Sequence, residues 1–261
     1  MPPGSGTLAR VGTPWGQQPY AVRLDWGLRG ARELLAGGVE VVVVVDVLSF
    51  TTSVTIAVDR GTRVHPFAWR SAAAAERARE VDAVCAVGRT AAGPGQVSLS
   101  PASILAAPPP ERLVLPSPNG SAICEALADE GVAVVAASLC NAVAVGRWLA
   151  RRPGPVGLVA AGERWPDDGS LRPAAEDLWG SGAVIDALLA QQPQATVSPE
   201  AAVARTAFRT VGADLPVQLA ACASGLELIG KGFAADVAIA ARMDVSAVVP
   251  LLLNGWFGPV E

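Results

Sequence analysis

The sequence predicts an α/β protein with a largely parallel or mixed central sheet flanked by helices. Segments of strand length alternate with segments of helical spacing through most of the chain. One of the strand segments, "VEVVVVVD" at 39–46, is almost continuously apolar, as in a strand covered on both faces. Finally, no compositional break, long linker or low-complexity segment divides the chain. Residues 1–261 therefore read as one domain, with an irregular Gly-, Pro- and Ser-rich loop at 89–111.

The elements follow in order. "PYAVRLDW" (19–26) alternates as a strand, and "LRGARELLAGG" (28–38) is a helix stopped by glycines. After the valine strand, 51–61 carries helical spacing and stops at Gly61, and 62–68 is a strand. A helix at 71–81 and a strand at 83–88 lead into the loop, where a short helix is expected around 101–106. Strand, helix, strand, helix and strand then occupy 112–117, 120–131, 132–138, 141–152 and 155–162. A polar stretch at 163–173 precedes helices at 174–192, 199–211 and 215–231. "ADVAIAARMD" (235–244) and "AVVPLLL" (247–253) read as closing strands.

Composition excludes several classes. A net charge of -4 gives no general nucleic-acid surface. No apolar run is long enough to span a bilayer, and the start of the chain lacks a signal-peptide core, so a cytoplasmic protein is expected. The four cysteines show no CxxC spacing and read as reduced, mostly buried thiols. The only histidine, His65, lies beside Pro66 with nothing local to make it a catalytic base. Trp26, Trp69, Trp148 and Trp256 read as packing residues. A homodimer is the base-rate expectation for assembly.

Candidate chemistry gathers at strand ends. Asp46 ends one strand, and Thr51, Thr52 and Ser53 begin the following helix. Ser117, Asn119, Gly120 and Ser121 follow a second strand, and Ser138 and Asn141 a third. A fourth strand ends at Gly162, and its loop leads to Arg172, Glu176 and Asp177. Each junction alone reads as helix capping. In a parallel sheet, however, such junctions share one edge, where ligands bind and helix N-termini receive anions. The carboxylates Asp46, Glu176 and Asp177 would repel a phosphate unless a cation stood between. With no histidine to hand, their oxygens indicate a hard ion, Mg²⁺. No GxxxxGK[ST], GxGxxG or DxDx[TV] signature is present.

The ordered set "VVVDVLSFTTSV", "SPNGSAI", "ASLCNAVAV", "AAGERWPDDGSLRPAAEDLWGSGAVI" and "DVAIAARMDVSAVVP" resembles the 2-phosphosulfolactate phosphatase (ComB-like) family, from about residue 19 to 250. The resemblance implies Mg²⁺-dependent hydrolysis of 2-phosphosulfolactate, a step toward coenzyme M. It places the family's aspartate on Asp46, its threonines on Thr51 and Thr52, and its TNG box on Pro118, Asn119 and Gly120. Ser138 and Asn141 fall on a further box, and the acidic pair falls on Glu176 and Asp177. Asp46 and Asp177 are the expected catalytic residues, and Asp46, Glu176 and Asp177 the expected metal ligands. Thr51, Thr52, Asn119, Gly120, Ser121, Ser138, Asn141 and Arg172 are expected to hold a small anionic phosphomonoester. The chain departs from the family at Ser49, where arginine is usual, and Arg172 is the expected compensation among Arg89, Arg164 and Arg172. The attacking group is either water or a carboxylate. A catalytically impaired anion-binding homologue and a sugar-phosphate isomerase are the competing readings.

Overall fold

A computed structural model describes residues 13–68 and 71–260. Five strands and five helices make up the first half of the described chain. Strands β1 (Val22–Trp26), β2 (Val41–Val45), β3 (Arg63–Ala68), β4 (Val84–Cys85) and β5 (Arg112–Ser117) alternate with α1 (Gly27–Ala36), α2 (Phe50–Asp59), α3 (Ser71–Glu80), α4 (Pro101–Ala106) and α5 (Gly120–Leu127). There follow β6 (Ala133–Ala137), α6 (Ala142–Leu149), β7 (Val156–Ala160) and a small hairpin of β8 (Glu163–Arg164) and β9 (Leu171–Arg172). Helices α7 (Ala175–Gln191), α8 (Pro199–Val211), α9 (Leu215–Ala221), α10 (Ala223–Gly230) and α11 (Ala234–Ala240) precede the closing hairpin of β10 (Pro250–Leu253) and β11 (Trp256–Pro259).

The main sheet has nine strands in the order β1-β7-β2-β6-β10-β11-β3-β5-β4. One half, β1, β7, β2 and β6, is parallel. So is the other, β3, β5 and β4. The β10–β11 hairpin joins them with antiparallel pairings on both sides, so the sheet is mixed. Register aligns Val45 with Ala160 on one side and Ala137 on the other, so three strand ends reach the same edge.

The valine run is covered on both faces, as its composition requires. Val41, Val43 and Val45 enter one core with Leu149, Val184 and Leu188 of α6 and α7. Val42 and Val44 enter the other with Val54, Ile123 and Leu127 of α2 and α5. Each buried valine contributes about 1.5–3 kcal/mol relative to exposure. That second core also holds Val64, Leu113 and Leu115 of the opposite half-sheet. The sheet therefore wraps one core from both halves. Three successive antiparallel pairings make the two parallel halves run in opposite directions, yet the β5 exit reaches the β2 exit, where the Gly120 amide meets Asp46.

Three features differ from the sequence expectation. Residues 235–244 form helix α11 and a following turn rather than a strand. Alanine is the strongest helix former, and the short alternation Asp-Val-Ala-Ile-Ala fits either period. Asp236 anchors this helix by accepting from the Ser100 hydroxyl (2.5 Å) and the Ala102 amide (3.1 Å). The helix at 215–231 breaks at Cys222, whose backbone is extended. β11 was hidden by its Gly and Pro. Trp26, Trp148 and Trp256 are half-buried, as packing residues should be, and Trp69 lies outside the described residues. No helix among the described residues is long and apolar enough to cross a membrane.

Candidate active site

Asp46 follows the last valine of β2 and is 6 % exposed. Two helix N-termini meet its carboxylate. The Phe50 amide at the start of α2 donates to Oδ1 (3.1 Å), and the Gly120 amide at the start of α5 donates to Oδ2 (2.9 Å). The anion these helix starts receive is thus Asp46 itself. Gly120 is required by the close approach: a Cβ there would lie 2.6 Å from Phe50 and 2.7 Å from Asp46 Oδ2.

Asp177 stands immediately behind. Its Oδ1 accepts from the Val47 amide (2.7 Å) and its Oδ2 from the Gly162 amide (2.8 Å), tying the exits of β2 and β7 together. Glu176 is buried beside it and accepts from the Cys222 thiol (3.3 Å). Glu163, at the start of β8, is oriented by the Asn119 side-chain amide (2.8 Å). These carboxylates feel one another. Burial, then the charges of Asp46 and Glu176, push Glu163 up to about 8. Burial, with a smaller contribution from Glu176, pushes Asp46 up to about 6 against the pull of its two amide donors. Asp177 is raised well above the ordinary range by burial, then by Asp46 and Glu176. The Cys222 thiol rises to about 12 through burial and the Glu176 charge, so it is no thiolate nucleophile.

A cavity of about 390 Å³ opens over this cluster, lined by Asp46, Ser49, Arg89, Asn119, Glu163 and Lys231, among others. Arg89 stands on Ser49: its Nη2 donates to the Ser49 hydroxyl (2.5 Å). The guanidinium also pairs with Asp236 (3.2 Å) and lies over the Phe233 ring.

The expected residues divide into two groups. Asp46 and Asn119 line the cavity, and Gly120 contributes its amide to the floor. The other polar side chains are engaged with the fold. Thr51 caps Asp46 by donating to its carbonyl (2.8 Å) and accepting from its amide (2.9 Å). Thr52 donates to Val47 O, and Ser121 to Phe67 O and Ser117 O. Ser138 and Asn141 form a reciprocal capping box, and Asn141 also donates to Val248 O (3.1 Å). Arg172 pairs across the hairpin from Glu163, donates to Ser224 (3.1 Å) and lies over Trp165.

Among the described residues no three His, Cys, Asp or Glu side chains are grouped to hold one ion, so Asp46, Glu176 and Asp177 are not a ready-made cage. Sequence reasoning passed over Glu163 and Asp236. The signal for Glu163 was available, since it follows the end of β7 as Asp46 follows β2. Nothing local marked Asp236, whose partners are 134 to 147 residues away. His65 sits within β3 with Nδ1 against Gly255 O (2.5 Å).

The family model described as 2-phosphosulpholactate phosphatase matches residues 32–255. The chain belongs to this family. As a 2-phosphosulpholactate phosphatase family member it is a phosphoric monoester hydrolase, and its substrate is a small phosphorylated compound. Every element that lines the cavity, from Asp46 to Phe233, falls inside the matched span. Comparison with curated proteins gave no match.

Proposed function

We propose that this phosphatase hydrolyses the phosphate ester of a small, multiply anionic hydroxy acid, 2-phosphosulfolactate or a close relative, with Mg²⁺ as cofactor. The observation that carries the reading is the cluster of buried, uncompensated carboxylates at the floor of a polar cavity that must accept a phosphate. A cation would relieve the repulsion that otherwise keeps these acids protonated, and the donors they offer it are oxygen only. Mg²⁺ typically takes one or two carboxylates, several waters and substrate phosphate oxygens rather than a full protein cage. The residues present fit that habit: Asp46 and Glu163 line the cavity and would hold the ion, while Glu176 and Asp177 deepen the negative field behind them. When bound, the ion would neutralise charge developing on the phosphate oxygens.

The chain's own groups do the rest. The Phe50 and Gly120 amides fix the Asp46 carboxylate, and Asn119 fixes Glu163, so neither acid must reorganise when substrate enters. Asp177 holds the β2 and β7 exits in register behind them. Thr51 and Thr52 hold the loop that carries Asp46, and Ser138 and Asn141 cap the neighbouring β6 exit. The reading of an impaired anion binder rests on Ser49 and on the divergent stretch 93–101 in place of the family's GNSP box; Arg89 on Ser49 supplies a cation beside position 49 and so weakens the first of these grounds. Phosphate release from a panel of phosphomonoesters, with Mg²⁺ and with a chelator, tests the proposal. Turnover is expected only with the divalent ion. A panel without turnover in either condition would refute it.

A further inference from the structure

Another cavity, of about 330 Å³, lies beside the active one. The two share Asn119 and Glu163, whose hydrogen bond (2.8 Å) stands in their common wall. No other lining residue is common to both. The second cavity is built from the start of α1, the start of α5 and the β8–β9 hairpin.

Its charge differs from its neighbour's. The active cavity sets Asp46, Glu163 and Glu227 against Arg89 and Lys231, and both of those cations already face a carboxylate. The second cavity sets Arg29, Arg32 and Arg164 against Glu163 alone, and Glu163 already accepts from Asn119. Arg29 pairs with Glu33 one turn along α1 (2.6 Å). Arg32 and Arg164 are exposed and meet no carboxylate among the described residues. Arg164 donates only to carbonyls, those of Gly169 (3.2 Å) and Pro118 (3.4 Å). Two guanidinium charges at this cavity are thus left without a counter-ion.

Most of the remaining lining is apolar. Trp26 and Leu28 of the β1–α1 junction, Ile123 of α5 and Leu171 of β9 supply it. Leu171 is seated against two glycines with positive φ. A Cβ on Gly27 would lie 3.3 Å from its side chain, and one on Gly162 only 2.6 Å away. Leu171 is nevertheless 43 % exposed, so its apolar surface is open to a ligand. An inorganic anion would leave that surface wet, and a neutral apolar ligand would leave the arginines unused. Arginine forks suit a sulfonate or carboxylate, and the apolar lining suits a hydrocarbon or ring attached to it.

We propose that this cavity is a second binding site, separate from the active one, for an organic anion that joins an apolar body to one acidic group. Arg32 and Arg164 receive the acid, and Trp26, Leu28, Ile123 and Leu171 receive the body. A small phosphorylated hydroxy acid has no such body. The site therefore goes beyond the phosphatase reading and stands or falls apart from it.

The probe is 1-anilinonaphthalene-8-sulfonate, an apolar ring system with one sulfonate. The contrast is N-phenyl-1-naphthylamine, the same rings without the acid. Fluorescence titration of the full chain in Mg²⁺ gives both affinities and needs no turnover. The unaltered protein should bind the sulfonate probe saturably. Arg32→Glu and Arg164→Glu, both changes on exposed side chains, should each weaken it by about 3- to 10-fold, the scale of exposed charge pairs turned from attraction to repulsion. The neutral contrast should change by less than about twofold. Leu171→Ser should weaken both probes, because both carry the rings. Lys231→Glu in the active cavity and Val203→Ser in the groove over α7 and α8 should leave the sulfonate affinity within about twofold, since neither lines this site. Absence of saturable binding, no response to either arginine change or to Leu171→Ser, or equal weakening of the two probes by the arginine changes would overturn the proposal. So would a loss at Lys231→Glu or Val203→Ser as large as at the arginines, which would put the probe in one of the other cavities.

Discussion

Two cavities invite comparison. The larger, about 720 Å³, lies over α7, α8 and α9 and is lined by Trp179, Val203 and Val211 together with Thr206, Thr210, Asp214 and Gln218, none of them buried acids. The smaller, about 390 Å³, holds Asp46, Glu163, Arg89 and Asn119. Volume favours the first and chemistry the second. The first is a shallow surface between helix flanks. The second stands where chain segments from β2, β5 and β7 end together, so acids distant in sequence share one field. A reaction centre needs convergent polar groups whose protonation the fold has altered, and only the smaller cavity has them.

The sharpest way to break that comparison is Asp46→Asn. The amide keeps the volume but removes the charge and puts an N–H₂ against one of two backbone donors. Phosphatase turnover should fall by at least ~10²- to 10³-fold. Activity within a few-fold of the parent would move the active centre elsewhere.

Gly120→Ala tests the floor by steric means. The added methyl would meet Phe50 and Asp46 at 2.6 and 2.7 Å, and both are closely packed. Overpacking of this kind costs about 1–3 kcal/mol, so a lower thermal midpoint and reduced turnover are expected together. An unperturbed midpoint would mean that α5 can retreat and that its contact with Asp46 is loose.

Protonation gives a finer probe. The folded Glu163 lies at about 8, above its ordinary 4.5, because burial and neighbouring acids disfavour the charge. A raised acid favours the fold while protonated. Its contribution is therefore full below about pH 4.5 and is lost as the pH rises through 8. Asp46 follows the same sign, with its loss complete above about 6. Metal-free protein should thus lose thermal stability from pH 4.5 toward 8, and Glu163→Gln should flatten the upper part of that slope. Mg²⁺ should raise the midpoint more at pH 8 than at pH 5. A profile that stays flat in the parent, or is unchanged in the glutamine variant, would remove Glu163 from the acidic cluster.

The smallest effect belongs to the other cavity. Val203 is 61 % exposed on its rim. Val203→Ser should leave turnover unchanged and shift stability by no more than about 0.5 kcal/mol, as surface substitutions do. A large loss of turnover there would erase the distinction between the two cavities.

Much of this was readable before any coordinates, and the reason is locality. Five adjacent valines can only be a strand buried on both faces, and Asp46 at its end can only sit at the sheet edge. Helices expected at 101–106 and 199–211 form there, each starting at a Ser-Pro pair with Ser100 or Ser198 as its cap. Where two periods fit the same letters, as in Asp236–Ala240, locality failed and a helix replaced the expected strand.

The chain alone therefore determined the α/β architecture, the valine strand and the acids that terminate its strands, because those depend on neighbours within a few residues. Only the tertiary structure decided which polar groups reach the cavity. Thr51, Thr52, Ser121, Ser138 and Asn141 look like phosphate donors by sequence, yet each satisfies backbone groups that would otherwise be buried unpaired. Glu163 looks unremarkable by sequence and Arg89 is only one of three candidate partners for position 49, yet the fold brings both to the cavity, Arg89 through its pairing with Asp236 of α11. Hydrogen-bond satisfaction and long-range charge are properties of the folded whole, and no window of residues contains them.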